Sequence, residues 1–331
     1  MSKQERVENF GVIAAASLAI AALALLASRL VAPVTSLDAG QRASAGTSIE
    51  LLASARDSAR FSDELLNPLA SQAEEGSPVE AQGATVPAAK LADLNAAIRA
   101  IESGGHDVGF LMLDTQTGTT VSYHADRSFY SASSIKGPYV TSIVRAALGD
   151  AAQADARIDA ILRYSDNDAY TSLRSQYGND PMAALVDASG AEQLPHAGIT
   201  DEVEAAAEPQ SEQSIADNFY EFVTPEQMVA LWDQCRAYLE SGEPGAAWLA
   251  DELQTPEISS LSHVGRAWGT TWAKAGWYPD DASGFATTVD AGVVRTETGD
   301  VVIAIMTTSP VDFPATAGVI LPLLELHAEL G

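Results

Sequence analysis

Residues 131–148 read SASSIKGPYVTSIVRAAL, and this stretch decides how the rest of the chain is arranged. From Ile135 to Leu148 the residues are apolar around nearly the whole helical circumference, which predicts a buried, central helix. Ser133 and Lys136 stand three residues apart at its start, so both side chains are expected on one face of the first turn. A hydroxyl and an amine that meet at a helix N-terminus can form an activated serine nucleophile.

The segments on either side of this helix alternate between strand and helix patterns. Apolar residues at helical spacing open the domain at Leu91, and a Thr224-Pro225 pair predicts the start of a later helix. Their order predicts an α+β fold, an αβα sandwich with an antiparallel sheet flanked by helices. The predicted strands cover residues 108–113, 119–123, 270–276, 286–295 and 301–308, and the other helices cover residues 154–163, 169–176, 181–188 and 316–330.

The N-terminal residues resemble an export signal. An uncharged run of 17 residues, Gly11 to Ala27, follows Lys3 and Arg6. Its length falls between that of a secretory h-region, ~7–15 residues, and that of a membrane span, ~17–25 residues. We expect an uncleaved membrane anchor, with a cleaved signal peptide as the alternative.

These patterns divide the chain into three parts. Residues 1–32 are predicted to be the signal anchor or signal peptide, residues 33–90 a flexible linker, and residues 91–331 the folded domain. The expected location is the cell membrane with an extracellular domain, or secretion if the signal is cleaved.

Composition excludes several classes of function. The chain has 18 basic and 45 acidic residues, a formal charge of −27, which disfavours binding to a nucleic acid. A single cysteine, Cys235, permits neither an intrachain disulfide nor a cysteine-rich zinc site. No motif suggests a metal or another cofactor, and we expect a monomer.

Lysine is scarce, and its positions are informative. The chain has four lysines, and only Lys136 and Lys274 lie within the predicted domain, against nine arginines there. A codon bias accounts for the general preference for arginine but not for these two positions. Lysine can lose its proton when it is buried, whereas arginine cannot, so a chemistry that needs a free amine would retain lysine.

Three short motifs follow one another along the chain. Ser133-Ser134-Ile135-Lys136 comes first, Ser165-Asp166-Asn167 follows, and Lys274-Ala275-Gly276 stands on a predicted strand. Ser-x-x-Lys, Ser-Asp-Asn and Lys-Thr-Gly in this order mark the class A β-lactamases and the penicillin-binding proteins. The domain therefore resembles the penicillin-recognising serine hydrolases, and most of all their class A β-lactamase branch.

The resemblance implies a role for each matched residue. Ser133 would be the nucleophile of an acyl-enzyme, and Lys136 its base. Ser165 would relay a proton to the leaving nitrogen, Asn167 would hold a substrate amide, and Asp166 would be structural. Lys274 would place positive charge near Ser165 and a substrate carboxylate, and the Gly276-Trp277 stretch would border the substrate, with the backbone N–H groups of Ser133 and Trp277 forming the oxyanion hole.

A further residue would be needed to hydrolyse the acyl-enzyme. The family uses a loop glutamate that activates water, and Glu208, followed by Pro209 in a long polar segment, is the candidate here. The alternative is that Glu208 is one of several solvated acids. The family's Glu-x-x-Leu-Asn pattern is absent from this segment.

Other departures concern substrate binding. Ala275 replaces the family's threonine, so a hydroxyl that contacts the substrate carboxylate is missing. Only 32 residues separate Ser133 from Ser165, about half the family's usual distance, which suggests a more open cleft. Arg295 lies on the strand that often supplies a carboxylate-binding cation, but too far along it.

Three functions remain open from the sequence. The first is an exported acyl-serine hydrolase that acts on a β-lactam, with a D-alanyl-peptide carboxypeptidase of the cell wall as its variant. The second is a degenerate member that binds wall peptide without turnover. The third is an unrelated interaction domain.

Overall fold

The computed structural model describes residues 78–191, 221–280 and 284–330. The predicted anchor at residues 1–32 and the candidate Glu208 lie outside these ranges. Within them, no helix is both long enough and apolar enough to span a membrane.

The described residues form eight strands and nine α-helices. The strands are β1 (Glu80–Gln82), β2 (Val108–Asp114), β3 (Thr120–Tyr123), β4 (Phe129–Tyr130), β5 (Phe222–Val223), β6 (Gly269–Tyr278), β7 (Thr287–Thr296) and β8 (Gly299–Thr307). The helices are α1 (Ala88–Ser103), α2 (Lys136–Ile143), α3 (Ala156–Tyr164), α4 (Asn167–Tyr177), α5 (Asp180–Ser189), α6 (Pro225–Leu239), α7 (Ala246–Glu252), α8 (Ser260–Gly265) and α9 (Phe313–Leu330).

Six of the strands form one antiparallel sheet in the order β1-β3-β2-β8-β7-β6. A large apolar cluster on one face joins the sheet to α2, α3, α5 and α6, and a second cluster on the other face joins it to α1, α8 and α9. The predicted antiparallel sheet with helices on both sides is therefore confirmed.

Helix α2, the central part of the predicted helix, is buried along its whole length, whereas Arg145, Ala146 and Ala147 near the predicted end are exposed. The predicted segment is also not one regular helix from Ile135 to Leu148. A 3-10 turn (Ala132–Ile135) precedes α2, and a π-helical turn (Val144–Leu148) follows it. The 3-10 turn places Ser133 just ahead of the helix proper.

The predicted helix start at Thr224-Pro225 is a complete capping box. The Thr224 hydroxyl accepts a hydrogen bond from the Gln227 N–H at 3.1 Å, and the Gln227 side chain accepts one from the Thr224 N–H at 3.0 Å. Pro225 occupies the first turn, where its missing N–H costs nothing.

The fold begins earlier than residue 91, so the end of the predicted linker needs correction. Residues Glu80–Gln82 pair with β3 as an edge strand, and Val79 and Ala81 are buried. Lys90, also assigned to the linker, forms an ion pair with Glu325 on α9. Pairing with a distant strand holds β1 in place, and its own sequence carries no strand pattern.

Candidate active site

Ser133 lies in a tight turn between β4 and α2. Ala132, directly before it, has a φ of 45°, a left-handed conformation that is unfavourable for any residue except glycine. The turn is closed by the Ser134 hydroxyl, which donates to the Ser131 carbonyl at 2.6 Å. This strained backbone presents Ser133, which is half-buried, at the beginning of the central helix.

Strand β6 passes directly against this turn at Gly276. A β carbon on Gly276 would lie 2.6 Å from the Ser133 nitrogen and 2.5 Å from the Ser134 nitrogen. Only glycine permits so close an approach. The strand segment that carries Gly276 and Trp277 is thereby held beside the Ser133 amide, where the oxyanion hole is predicted.

Lys136 is buried at the floor of the site, with 3% of its surface exposed. Its Nζ donates to the Ser165 carbonyl at 2.8 Å and to Asn167 Oδ1 at 2.6 Å. Burial lowers the pKa of Lys136 to about 8, although the nearby Asp166 carboxylate favours the charged form. Among the described residues, none hydrogen-bonds to the Ser133 hydroxyl, so Lys136 is directed across the cleft.

The Ser165-Asp166-Asn167 motif forms the turn between α3 and α4. Ser165 ends α3 in the left-handed conformation, with φ 59° and ψ 33°. Asp166 caps α4, because its carboxylate accepts a hydrogen bond from the Ala169 N–H at 2.7 Å. This turn aims the Ser165 hydroxyl and the Asn167 amide at the two lysines, while Asp166 maintains the turn.

Lys274 approaches the same serine from β6. Its Nζ donates to Ser165 Oγ at 3.0 Å and to the Ala275 carbonyl at 2.6 Å, and only 1% of the residue is exposed. Burial and the neighbouring charge of Lys136 lower the pKa of Lys274 to about 7, against the opposing effect of Asp290. Ser165 therefore lies between two amines, each of which can exchange a proton near neutral pH.

Asp290 is a buried carboxyl next to Lys274 that the sequence analysis did not assign. It lies opposite Ala275 in the β6–β7 register and is fully buried. It accepts hydrogen bonds from the Ser259 hydroxyl and the Leu261 N–H, both at 3.0 Å. Burial raises the pKa of Asp290 to about 7 despite these bonds.

Tyr170 is a second residue that the sequence analysis missed. Lys136 Nζ lies over its ring, 5.3 Å from the ring centre. Tyr170 follows Asn167 by three residues on α4, so helical spacing places it on the same side of the helix as the motif. Only the packing of α4 against α2 shows that this side faces the amine.

The substrate-binding residues fall into two groups. Trp277 is half-buried, and its ring packs edge-on against Phe313 with the centres 5.5 Å apart. Ala275, by contrast, is fully buried in a small apolar cluster with Ile258 and Phe313. The position of the missing hydroxyl is thus filled by apolar contacts.

Two other candidates lie away from this centre or outside the structure. Arg295 pairs with Thr270, five residues from the Ala275–Asp290 pair in the β6–β7 register, and binds Glu240 and Asp300. It is therefore at the far end of the strand, as expected. Glu208 lies outside the described residues, so its role stays a prediction. The described ranges contain no group of three or more His, Cys, Asp or Glu side chains arranged to hold a metal ion.

Several solved structures with a similar fold are β-lactamases. A β-lactamase from Sphaerobacter thermophilus has a TM-score of 0.54 and 18% identity, over 72% of this chain and 97% of that chain. A class A β-lactamase from Mycobacterium abscessus has a TM-score of 0.52 and 24% identity, over 72% of this chain and 98% of that chain. At such identities the likeness concerns the fold. No curated protein matched the sequence.

The sequence itself carries the family assignment. The profile of the beta-lactamase enzyme family matches residues 92–160 and 158–321. These segments contain the turn with Ser133, the turn with Ser165 and the strand with Lys274, which the fold brings together around one cleft. The chain belongs to the beta-lactamase enzyme family.

Proposed function

We propose that the protein is an acyl-serine hydrolase that opens a β-lactam amide through an acyl-enzyme on Ser133. The observation that carries the proposal is the convergence on Ser165: Lys136 binds its carbonyl at 2.8 Å and Lys274 its hydroxyl at 3.0 Å. The β6 strand, which carries Lys274, also lies against the Ser133 amide at Gly276. Nucleophile, base, proton relay and oxyanion donors are then all within one site.

Acylation would begin with the neutral form of Lys136. Its amine takes the proton of Ser133 as Oγ attacks the carbonyl carbon, and the oxyanion receives hydrogen bonds from the Ser133 and Trp277 N–H groups. The carbon–nitrogen bond then breaks. Ser165 gives its proton to the departing nitrogen and regains one from the Lys274 ammonium, whose Nζ lies 3.0 Å from Ser165 Oγ.

Deacylation needs a water that attacks the ester on Ser133. In this proposal Glu208 activates it, on the strength of its place in the polar segment before Thr224. If Glu208 does not act in this way, the acyl-enzyme would be long-lived and the protein would behave as a penicillin-binding peptidase.

The alternative of a family member that binds without turnover has an observation in its favour. Ala275 is enclosed by Ile258 and Phe313 and offers no hydroxyl to the substrate. A site with one polar contact fewer is expected to bind β-lactams less tightly, although its acylation machinery is intact. Besides a β-lactam, a D-alanyl peptide of the cell wall is the second candidate substrate. Binding of wall peptide without turnover is the third candidate function.

Export remains part of the proposal. The uncharged run from Gly11 to Ala27, preceded by Lys3 and Arg6, supports a domain held outside the cell by an anchor, or secreted after cleavage. Either location would bring the site to the cell wall and to β-lactams.

Intact-protein mass spectrometry with a penicillin tests the function. We expect Ser133→Ala to abolish any adduct, whereas Ser142→Ala, which removes a buried hydroxyl from the helix that follows Ser133, should retain it. Penicillin consumed without a lasting adduct indicates a β-lactamase, and a lasting adduct indicates a peptidase. If the wild-type protein forms no adduct and consumes no penicillin, the proposal is wrong.

A further inference from the structure

The Lys136 amine has a third neighbour besides its two hydrogen-bond acceptors. Its Nζ donates to the Ser165 carbonyl and Asn167 Oδ1, and it faces the Tyr170 ring at 5.3 Å from the ring centre. A cation within ~6 Å of an aromatic ring centre is attracted to the ring face, and the attraction is stronger when water is excluded. With 3% of Lys136 exposed, little water reaches this contact.

The Tyr170 ring is held in place from several sides. The Tyr139 ring packs edge-on against it, with the centres 5.2 Å apart, and the Tyr139 hydroxyl donates to the Gly178 carbonyl at 2.7 Å. The Arg174 guanidinium, one turn later on α4, lies over the same ring at 5.7 Å and also donates to Asn179. The ring therefore has packing contacts of its own and lies near two cations, Lys136 and Arg174.

Charged side chains lie near Lys136 on the turn before α4, on α4 and on β6. Asp166 acts on Lys136 from the turn before α4, Arg174 lies over the Tyr170 ring, and the charge of Lys136 acts on Lys274 of β6. Helices α3, α5 and α6 pack on α2 through apolar side chains. On α6, burial raises the pKa of Cys235 to about 12, so that thiol is neutral at physiological pH.

We propose that Tyr170 is a positioning residue for Lys136, whose ring face stabilises the ammonium form and holds Nζ between Ser165 and Asn167. Burial lowers the pKa of Lys136. In this proposal the ring face, 5.3 Å from Nζ, opposes that effect because it attracts the ammonium form. The amine then stays a strong enough base to take a serine proton while it is still partly neutral near pH 8. The catalytic meaning of this contact rests on the proposed function, whereas the contact and its effect on the amine do not.

The low lysine content permits a direct test that requires no turnover. The full chain labelled with 13C at the lysine ε carbons should give four side-chain signals, since it has four lysines. Lys136→Arg and Lys274→Arg assign the two buried ones. Each signal is then titrated with pH in the wild type, in Tyr170→Phe and in Tyr170→Leu.

We expect Tyr170→Phe, which keeps the ring, to leave the measured pKa of Lys136 unchanged. Tyr170→Leu should lower it by about 0.5 to 1, the size of a partly desolvated cation–π contact. Tyr177→Leu removes a ring from the same helix without a contact to Lys136 and should have no effect; thermal melting verifies that each variant is folded.

An unchanged pKa of Lys136 in Tyr170→Leu would overturn the proposal, as would an equal fall in Tyr170→Phe. The pH dependence of Ser133 acylation by penicillin should shift in the same direction as the titration. If the wild-type protein forms no adduct, the proposed function fails, but the titration still decides the role of Tyr170.

Discussion

Gly276 lies so close to Ser133 that a β carbon on the glycine would be 2.6 Å from the Ser133 backbone nitrogen. In Gly276→Ala, β6 must move away from the nucleophile turn, and the oxyanion donors separate. We expect acylation by penicillin to slow by about 10²–10³-fold, the usual cost of one oxyanion-hole donor, with about 1–3 kcal/mol lost in the free energy of unfolding.

Quenched-flow mass spectrometry and urea denaturation measure the two effects of Gly276→Ala. Gly318→Ala is the matched control, because a β carbon there meets nothing within 4 Å and the position is helical. An acylation rate in Gly276→Ala within threefold of wild type would show that the oxyanion hole is not formed at this contact.

Acylation should depend on pH through Lys136. Burial lowers the pKa of its amine to about 8, and only the neutral amine can take the Ser133 proton. Below that pH the neutral fraction rises about tenfold per pH unit, so the acylation rate should rise from pH 6, with a maximum between pH 7 and 8. At higher pH the rate should fall, because the Lys274 ammonium that returns a proton to Ser165 has a pKa of about 7 and loses its proton. Lys136→Arg should form no adduct at any pH, because arginine keeps its proton.

Single-turnover acylation measured between pH 5.5 and 9.5 tests this prediction. The control is Lys90→Arg, which changes a lysine on α1 that is paired with Glu325 on α9. Both helices lie on the face of the sheet opposite to α2. A rate that is flat with pH, or a Lys136→Arg protein that still acylates, would assign the base to another group.

The apolar enclosure of Ala275 leads to a prediction about stability. In Ala275→Thr the added hydroxyl would lie among Ile258, Phe313 and the Trp277 ring, and it should cost about 1–3 kcal/mol because a buried hydroxyl without a partner is unfavourable. Ala275→Val has the same shape and no hydroxyl. The difference in unfolding free energy between the two variants therefore isolates the hydroxyl, and urea denaturation measures it.

A threonine variant as stable as the valine variant would indicate that the hydroxyl finds a polar partner or reaches the cleft. Faster acylation in Ala275→Thr would support the same conclusion. Ala275 would then mark a position where a substrate contact has been lost, and not a position closed off from the substrate by apolar side chains.

A buried hydrogen bond between a histidine and a carboxylate ties helix α9 to the sheet. His327 Nδ1 lies 2.9 Å from Asp114 Oδ2, and both residues are almost fully buried. Asp114 also accepts the Gln116 and Thr117 N–H groups, each at 2.9 Å. Asp114→Ala leaves these donors without a partner, so we expect a loss of about 3–5 kcal/mol in unfolding free energy.

The pH dependence of this pair follows from the lowered pKa of Asp114. Burial favours the protonated form, but the hydrogen bonds from His327 and from the Thr117 and Gln116 N–H groups outweigh it. A carboxyl whose pKa is lower in the folded protein stabilises it above the unfolded pKa, about 3.9, and this stabilisation is lost as the pH falls through the folded pKa. Chemical denaturation of the wild type and of Asp114→Ala below pH 5 should converge, whereas the exposed control Asp187→Asn should stay parallel to the wild type. A constant gap would contradict the assignment.

The sequence predicts most of the architecture because the main elements carry strong patterns. The apolar strands β2, β6, β7 and β8 and the amphipathic helix α1 lie within a few residues of their predicted positions. The short strand β1 has one buried residue, Ala81, between two polar ones, and only its pairing with β3 makes it a strand. A pattern that depends on a partner distant in sequence cannot be identified locally.

Some residues of the candidate site could be identified from the sequence, and others could not. Ser133 and Lys136 are neighbours in sequence, and Ser165 and Lys274 belong to motifs, so their residue types could be identified. Tyr170 and Asp290 belong to no such motif. Their meaning depends on how α4 packs on α2 and how β7 pairs with β6, and packing of this kind requires three-dimensional information.

The order of strands also sets the distance between the site and the point where the preceding segment enters the fold. Any segment that precedes residue 78 joins the fold at β1, whereas Lys274 lies on β6, and these are opposite edges of the sheet. Five strand spacings of ~4.8 Å put about 24 Å between the two edges. A pull on the leading segment would be taken up by the three residue pairs between β1 and β3 long before it reached Ser133 or Lys274. A surface attached at that edge would therefore lie about five strands away from the strand that carries Lys274.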